Sequence, residues 1–278
     1  MTEINLTFDC ADAARSIANF TVSLLKLHVR DNAEDATAAG SGTLVTIDNV
    51  AGILTAAHVI RNLPDQGEIA LVRFQGKPAQ LQKQTIDTGM AEKLVIASGN
   101  DDDSGPDLGF LRLPMVNVQN LRATNSFLNI GIRHGVELSA HQGSAYVDAV
   151  AGVVSEWTRD LVPLRPATRM KGFELLYCGG TVTSKYQSGA FDLCRFRPDF
   201  EAGIKPPTSY GGVSGGGLWR TYFVPDGSNR VIENRLVGVA FYELPEKDGT
   251  LELICHGPCS VYSHAIGKIR QRWPQEVG

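Results

Sequence analysis

Ser214 lies between glycines on both sides, in the run Ser209-Tyr210-Gly211-Gly212-Val213-Ser214-Gly215-Gly216-Gly217-Leu218-Trp219. Glycine lets a backbone turn sharply and aim several N–H groups at one spot. A carbonyl oxygen gaining negative charge beside a serine nucleophile needs donors arranged that way. Alone, the run also reads as an ordinary tight turn. Two other segments add to it. Gly40-Ser41-Gly42-Thr43-Leu44-Val45-Thr46-Ile47 and Gly52-Ile53-Leu54-Thr55-Ala56-Ala57-His58-Val59-Ile60 read as two apolar strands joined by a hairpin at Asp48-Asn49, with a histidine just past the second. In Gly105-Pro106-Asp107-Leu108-Gly109-Phe110-Leu111-Arg112-Leu113-Pro114, an aspartate opens a short apolar strand and a proline closes it. Histidine, aspartate, serine is one of the chain orders in which a serine triad occurs.

Each residue has a plain reading. A histidine after an apolar strand is usually packed or capping, an aspartate after proline caps a turn, and a serine among glycines is a loop serine. The three in order, each in its strand context, favour catalysis jointly. The Thr-Ala-Ala-His, Asp-Leu-x-Phe-Leu-x-Leu and Gly-x-Ser-Gly-Gly motifs resemble those of the trypsin/chymotrypsin-fold serine peptidases. The likeness runs over roughly residues 40–265 and is specific at the three motifs. It implies Ser214 as nucleophile, His58 as general base and Asp107 as the residue that orients the imidazole. The N–H groups of Gly212 and Ser214 would form the oxyanion hole. Two other readings stay open: a catalytically silent protease-fold binding module, and a small-molecule esterase or amidase, because a triad serves any acyl transfer.

The elements that must position these residues read as β. A short helix is predicted from Asp9 through Ile17. Strands follow near 20–30, 40–47, 51–55, 68–75, 92–97 and 108–113, then near 172–179, 190–197, 213–220, 235–242 and 251–262. The expected fold is all-β: two six-stranded antiparallel barrels, trypsin-like, with a short N-terminal helix, an inserted connector and a C-terminal helix. Residues 1–118 would form the barrel with His58 and Asp107, 119–170 the connector, and 171–278 the barrel with Ser214. Tyr146, Val150, Val154 and Trp157 fit a helical spacing in the connector, although 147–154 also reads as strand. Ala265 to Trp273 resembles the closing helix such peptidases pack on the first barrel.

Departures from the family are informative. Its zymogens pair a new N-terminal ammonium with an aspartate just before the nucleophile, and here that position is Val213. Burying an ammonium without a partner costs several kcal/mol, so activation by that route is not expected. The chain would be competent as made, or gated by a protein partner. By the same resemblance Thr208 would lie at the floor of the primary pocket. Val237 to Glu243, which includes Phe241, Tyr242 and Glu243, would be the edge strand that pairs with substrate backbone, and Ser260 would line another wall. Glu243 would narrow the pocket or offer a carboxylate to a basic side chain.

Composition excludes several classes. With 26 Lys and Arg against 30 Asp and Glu, the formal net charge is −4, and no basic stripe points to nucleic acid. Asp101-Asp102-Asp103 reads as a solvated loop tip. No apolar stretch approaches the ~18 residues of a membrane span, and the opening residues show no secretory pattern. The five cysteines, Cys10, Cys178, Cys194, Cys255 and Cys259, lack the staples common in secreted relatives and read as reduced thiols in a cytoplasm. Cys255-His256-Gly257-Pro258-Cys259 has no second pair at metal-ligand spacing, so neither metal nor cofactor is expected. The expected partner is a protein or peptide substrate, and the plainness of the chain points to a bacterial regulatory or defence protease.

Overall fold

The computed structural model describes residues 10–276 apart from 31–32, 75–81, 100–104, 134–144, 162–169, 202, 225, 227, 229 and 246–248; Asp9 and the Asp101–Asp103 run lie outside the described residues. The fold is largely all-β and built almost wholly from antiparallel pairs. Helix α1 (Ala11–Ala18) leads into strands β1 (Thr21–Arg30), β2 (Ala33–Ile47) and β3 (Val50–Thr55), the one-turn helix α2 (Ala57–Arg61), then β4 (Glu68–Arg73), β5 (Gln82–Asp87), β6 (Glu92–Ser98) and β7 (Asp107–Arg112). These strands hydrogen-bond in the order β5-β4-β1-β2-β3-β7-β6. Helix α3 (Met115–Arg122) follows, and the two-residue β8 (Leu128–Asn129) adds to β2 in parallel.

The C-terminal half contains β9 (Ala145–Val153), a small ribbon of β10 (Arg159–Leu161) and β11 (Met170–Gly172), then β12 (Leu175–Ser188), β13 (Phe191–Pro198), β14 (Gly217–Phe223), β15 (Val231–Pro245) and β16 (Leu251–His256). It ends in a π-helical turn (Ser260–Ala265) that runs into helix α4 (Ile266–Arg272). Strands β12-β13-β16-β15-β14-β9 form a closed barrel.

Two expectations are corrected here. The N-terminal half is an eight-stranded sheet rather than six strands closed on themselves, and among the described residues its end strands β5 and β6 do not pair with each other. Strand β5 opens Gln82-Lys83-Gln84-Thr85, which offers no apolar run to read. The connector assigned to 119–170 holds no helix at 146–157. Ala145–Val153 is instead a barrel strand between β12 and β14, closed by a single 3-10 turn at Ser155–Trp157. From Asp148 to Val153 both faces of β9 are buried, so its run of small apolar residues carries no alternation to separate strand from helix.

The hairpin at Asp48-Asn49 forms as expected, with Ile47 opposite Val50 and Asp48 at φ +53. The C-terminal helix fastens it, because Arg270 holds the Asp48 carboxylate through Nε at 2.8 Å and Nη2 at 3.0 Å. Ile266 and Ile269 of α4 pack among Val45, Ile47 and Val50, and Trp273 meets Phe110 edge-on at 5.8 Å. A second cluster joins Leu44, Ile53 and Leu111 of the N-terminal sheet to Leu193, Phe241 and Ile254 of the barrel. The core is therefore continuous across the line where His58, Asp107 and Ser214 meet.

Candidate active site

His58 enters α2 directly after buried β3, where Ala56 holds extended backbone before the turn begins. Asp107 is the first residue of β7, which pairs with β3 at Gly109 opposite Thr55. That pairing brings the two side chains together. His58 Nδ1 is bonded to Asp107 Oδ2, and the His58 backbone N–H donates to Asp107 Oδ1 at 3.0 Å. With Nδ1 turned to the carboxylate, Nε2 is left for the cleft. Arg61, one turn further along α2, brings Nη2 to 3.6 Å from Asp107 Oδ1 and donates from Nη1 to Ser98.

Ser214 arrives from the other half on two successive tight turns. The Val213 N–H donates to the Tyr210 carbonyl at 2.9 Å with Gly212 at φ +92, and the Gly216 N–H donates to the Val213 carbonyl at 2.7 Å with Gly215 at φ +87. A positive φ at the third position of each turn is the type II pattern, which only glycine takes without strain. Val213, Gly215 and Gly216 thus spend their N–H groups internally, and Gly211 donates to Ser209 Oγ at 3.0 Å. Among the described residues, the N–H groups of Gly212 and Ser214 take no acceptor within the protein. The Ser214 hydroxyl donates to the Phe241 carbonyl at 3.4 Å rather than to His58.

His58, Asp107 and Ser214 share one cleft of about 650 Å³, lined also by Arg61, Tyr210, Phe241, Tyr242, Glu243 and Leu253. Of the five residues expected to line a substrate pocket, Phe241, Tyr242 and Glu243 line this cleft. Tyr242 and Glu243 keep the ladder to β16, with Phe241 bulged between them and Ala240, while the pairing of β15 with β14 stops at Val239 opposite Gly217. Glu243 turns its carboxylate onto the nucleophile loop, where Oε2 accepts the Tyr210 N–H and the Ser209 hydroxyl. It thereby ties the loop to β15. Burial pushes the Tyr210 phenol up, beyond its ordinary range.

Thr208 and Ser260 are not brought into the cleft. Thr208 is exposed and held by Glu156, which takes its N–H at 2.9 Å and its hydroxyl at 2.6 Å; those bonds lower the Glu156 carboxyl below its ordinary value. Ser260 is buried at the π-helical turn, where its N–H and Oγ both bond to Asp192. The Cys255–Cys259 cluster does not converge either. Cys255 faces Cys194 across β13 and β16, and Cys259 is exposed with its N–H on Asp192 at 3.0 Å. Among the described residues no group of three His, Cys, Asp or Glu side chains could hold a metal.

Two residues of the site were not legible as such in the sequence. His256 Nε2, at the end of β16, accepts the Asp107 backbone N–H at 3.0 Å. Ser41, completely buried, donates from Oγ to the Gly212 carbonyl at 2.7 Å. Its position between Gly40 and Gly42, on the first strand that meets the nucleophile turn, was the available signal. Compared with known proteins, the chain matches no family model and no curated protein. Among the described residues no helix is long and apolar enough to cross a membrane.

Proposed function

We propose that this chain is a trypsin-like serine endopeptidase, cleaving protein or peptide substrates through Ser214, His58 and Asp107. One observation carries the reading: a histidine paired through Nδ1 to a buried aspartate faces the same cleft as a serine whose turn leaves two N–H groups unspent. Ser214 Oγ attacks the scissile carbonyl carbon as its proton passes to His58 Nε2. The carbonyl oxygen, now negative, is received by the N–H groups of Gly212 and Ser214. The C–N bond breaks as the imidazolium returns that proton to the leaving amine. Water then repeats the sequence, with His58 as base, to release the acid and restore Ser214. Asp107 keeps the imidazole in the required tautomer throughout. Phe241–Glu243, short of a β14 partner, offers its open edge to substrate backbone.

The thiols of Cys178, Cys194 and Cys255, all buried, support a reducing compartment such as the cytoplasm. A second reading, a silent protease-fold binding module, is favoured by one feature. The Ser214 hydroxyl points to Phe241 rather than His58, so a rotation about χ1 must precede attack. Fluorophosphonate labelling separates the two. A peptidase labels at Ser214, loses the label in Ser214→Ala, and generates new protein N-termini in cells that the variant does not. Absence of label, with partner binding indifferent to Ser214→Ala, would overturn the peptidase reading in favour of the module.

A further inference from the structure

We propose that Ser41 is a positioning residue that holds the nucleophile turn in its anion-receiving shape from the opposite half of the molecule; this rests on the peptidase reading of Ser214. The turn needs such an anchor. Val213 is packed among Val150, Val154, Leu176 and Leu218, so the residue before the nucleophile has no charge to hold the turn, and the Glu243 carboxylate reaches the loop only at Ser209 and Tyr210. Ser41 supplies neutral bonds instead. Its Oγ donates to the Gly212 carbonyl at 2.7 Å and accepts the Val153 N–H at 2.8 Å. Its own N–H donates to the Ser214 carbonyl at 2.7 Å, and its carbonyl accepts Thr55 Oγ1 at 2.6 Å.

These bonds fall on the peptide units that matter. The Ser214 N–H belongs to the Val213–Ser214 peptide, whose carbonyl is taken by Gly216. The peptides on either side of it, Gly212–Val213 and Ser214–Gly215, are the two whose carbonyls Ser41 holds. The Gly212 N–H belongs to the Gly211–Gly212 peptide, whose carbonyl accepts Ser155 at 2.7 Å. With its hydroxyl both donating and accepting, Ser41 has no rotational freedom left. The surroundings are tight as well, since a Cβ at Gly152 would stand 3.1 Å from Ser41 Oγ and 3.2 Å from Val213. Losing the hydroxyl therefore frees a carbonyl that neither protein nor water can readily satisfy.

The experiment compares Ser41→Ala with wild type and with Thr21→Val, which removes another fully buried hydroxyl of the same sheet, one bonded to the Ile17 carbonyl and not to the turn. We expect kcat on a peptide substrate to fall on the order of tenfold to a hundredfold in Ser41→Ala with KM little changed, less than for deleting a hole donor outright. Thr21→Val lowers the melting temperature without that split. Hydrogen exchange supplies a readout independent of turnover. The Val213, Gly215 and Gly216 amides lose roughly tenfold or more of their protection in Ser41→Ala and keep it in Thr21→Val. Should Ser41→Ala not fold, Ser41→Cys retains a weak donor and gives the same readouts at smaller size. Unchanged protection of the turn, or unchanged kcat in an active wild type, overturns the role of Ser41. Lost protection in a protein whose wild type never labels at Ser214 upholds the anchoring and overturns the peptidase reading instead.

Discussion

The backbone N–H of Asp107 donates to His256 Nε2 at 3.0 Å, while the carboxylate of the same residue faces His58. Asp107 is thereby gripped from both halves, and its strand cannot shift without disturbing the barrel. His256 is fully buried, its ring lies 4.9 Å from that of Phe241, and because Nε2 accepts, its proton is on Nδ1. An imidazolium there would turn the acceptor into a donor facing the Asp107 N–H.

A pH dependence follows from that arrangement. Burial lowers the His256 pKa from 6.5 to about 4, so the folded protein binds this proton more weakly than the unfolded chain. The stabilisation is complete above pH 6.5 and is lost as pH falls from there through 4. His256→Gln keeps an acceptor and does not titrate. Between pH 7 and 4, wild type should lose on the order of 3 kcal/mol more unfolding free energy than the variant. The lowered carboxyls of Asp35, Asp65, Glu156 and Asp226 act only at more acid pH, which leaves the upper part of the window to His256. Denaturant titrations giving parallel pH profiles for the two proteins would refute this.

Two glycines at positive φ should behave very differently on replacement by alanine. Gly189, at φ +59 between β12 and β13, has nothing within 4 Å of a built Cβ. Gly189→Ala should cost about 1–2 kcal/mol, the left-handed penalty alone, and leave labelling intact. At Gly215, φ +87, a Cβ would fall on Thr55 Oγ1 and the Ser41 carbonyl, neither free to move. Gly215→Ala should destabilise more than Gly189→Ala and abolish fluorophosphonate labelling. Equal costs by chemical denaturation would mean the turn around Ser214 is not built as described.

What the sequence made legible was local. His58 follows the end of an apolar strand, Asp107 opens one after a proline and Ser214 precedes one among glycines, so their contexts could be read from a dozen neighbours. Most strands were equally plain, as was the Asp48-Asn49 hairpin. Strand β9 was not, because burial on both faces erases the alternation that marks a strand. Ser41 and His256 escaped for another reason. Their roles depend on Gly212 and Asp107, far off in the chain, and no local pattern reports such a pairing. Thr208 and Ser260 failed where a position counted along the chain was carried across loops whose course is set by Glu156 and Asp192.

The thiols should divide sharply by position. Cys194 and Cys255 stand opposite each other in the barrel, and Cys255 is raised well above its ordinary value by its bond to Cys194 and by burial. Burial pushes Cys178 up to about 11. Alkylation of the native protein should therefore modify exposed Cys259 and spare these three until the fold opens. Reducing agent should leave activity and melting temperature nearly unchanged. A drop of several degrees on reduction would reveal a bridge and remove the argument for a reducing compartment.

Activity should not require N-terminal processing. A freshly cut ammonium can order a nucleophile loop only if a carboxylate waits beside the serine, and Val213 has none to offer. It is completely buried among apolar side chains, where an unpaired ammonium would cost several kcal/mol. The Ser41 bonds already connect the turn to the N-terminal sheet. Helix α1 also argues against a cut within it, since Ala13, Ile17 and Ala18 are buried and Ile17 packs in the same cluster as Trp219. Protein carrying a tag ahead of Met1 should label at Ser214 at the same rate as protein without one. Labelling that appeared only after a defined cut upstream of Phe20 would sink this reading of Val213. Labelling that needed a cell-extract factor would instead favour a gating partner, one that turns the Ser214 hydroxyl from Phe241 toward His58.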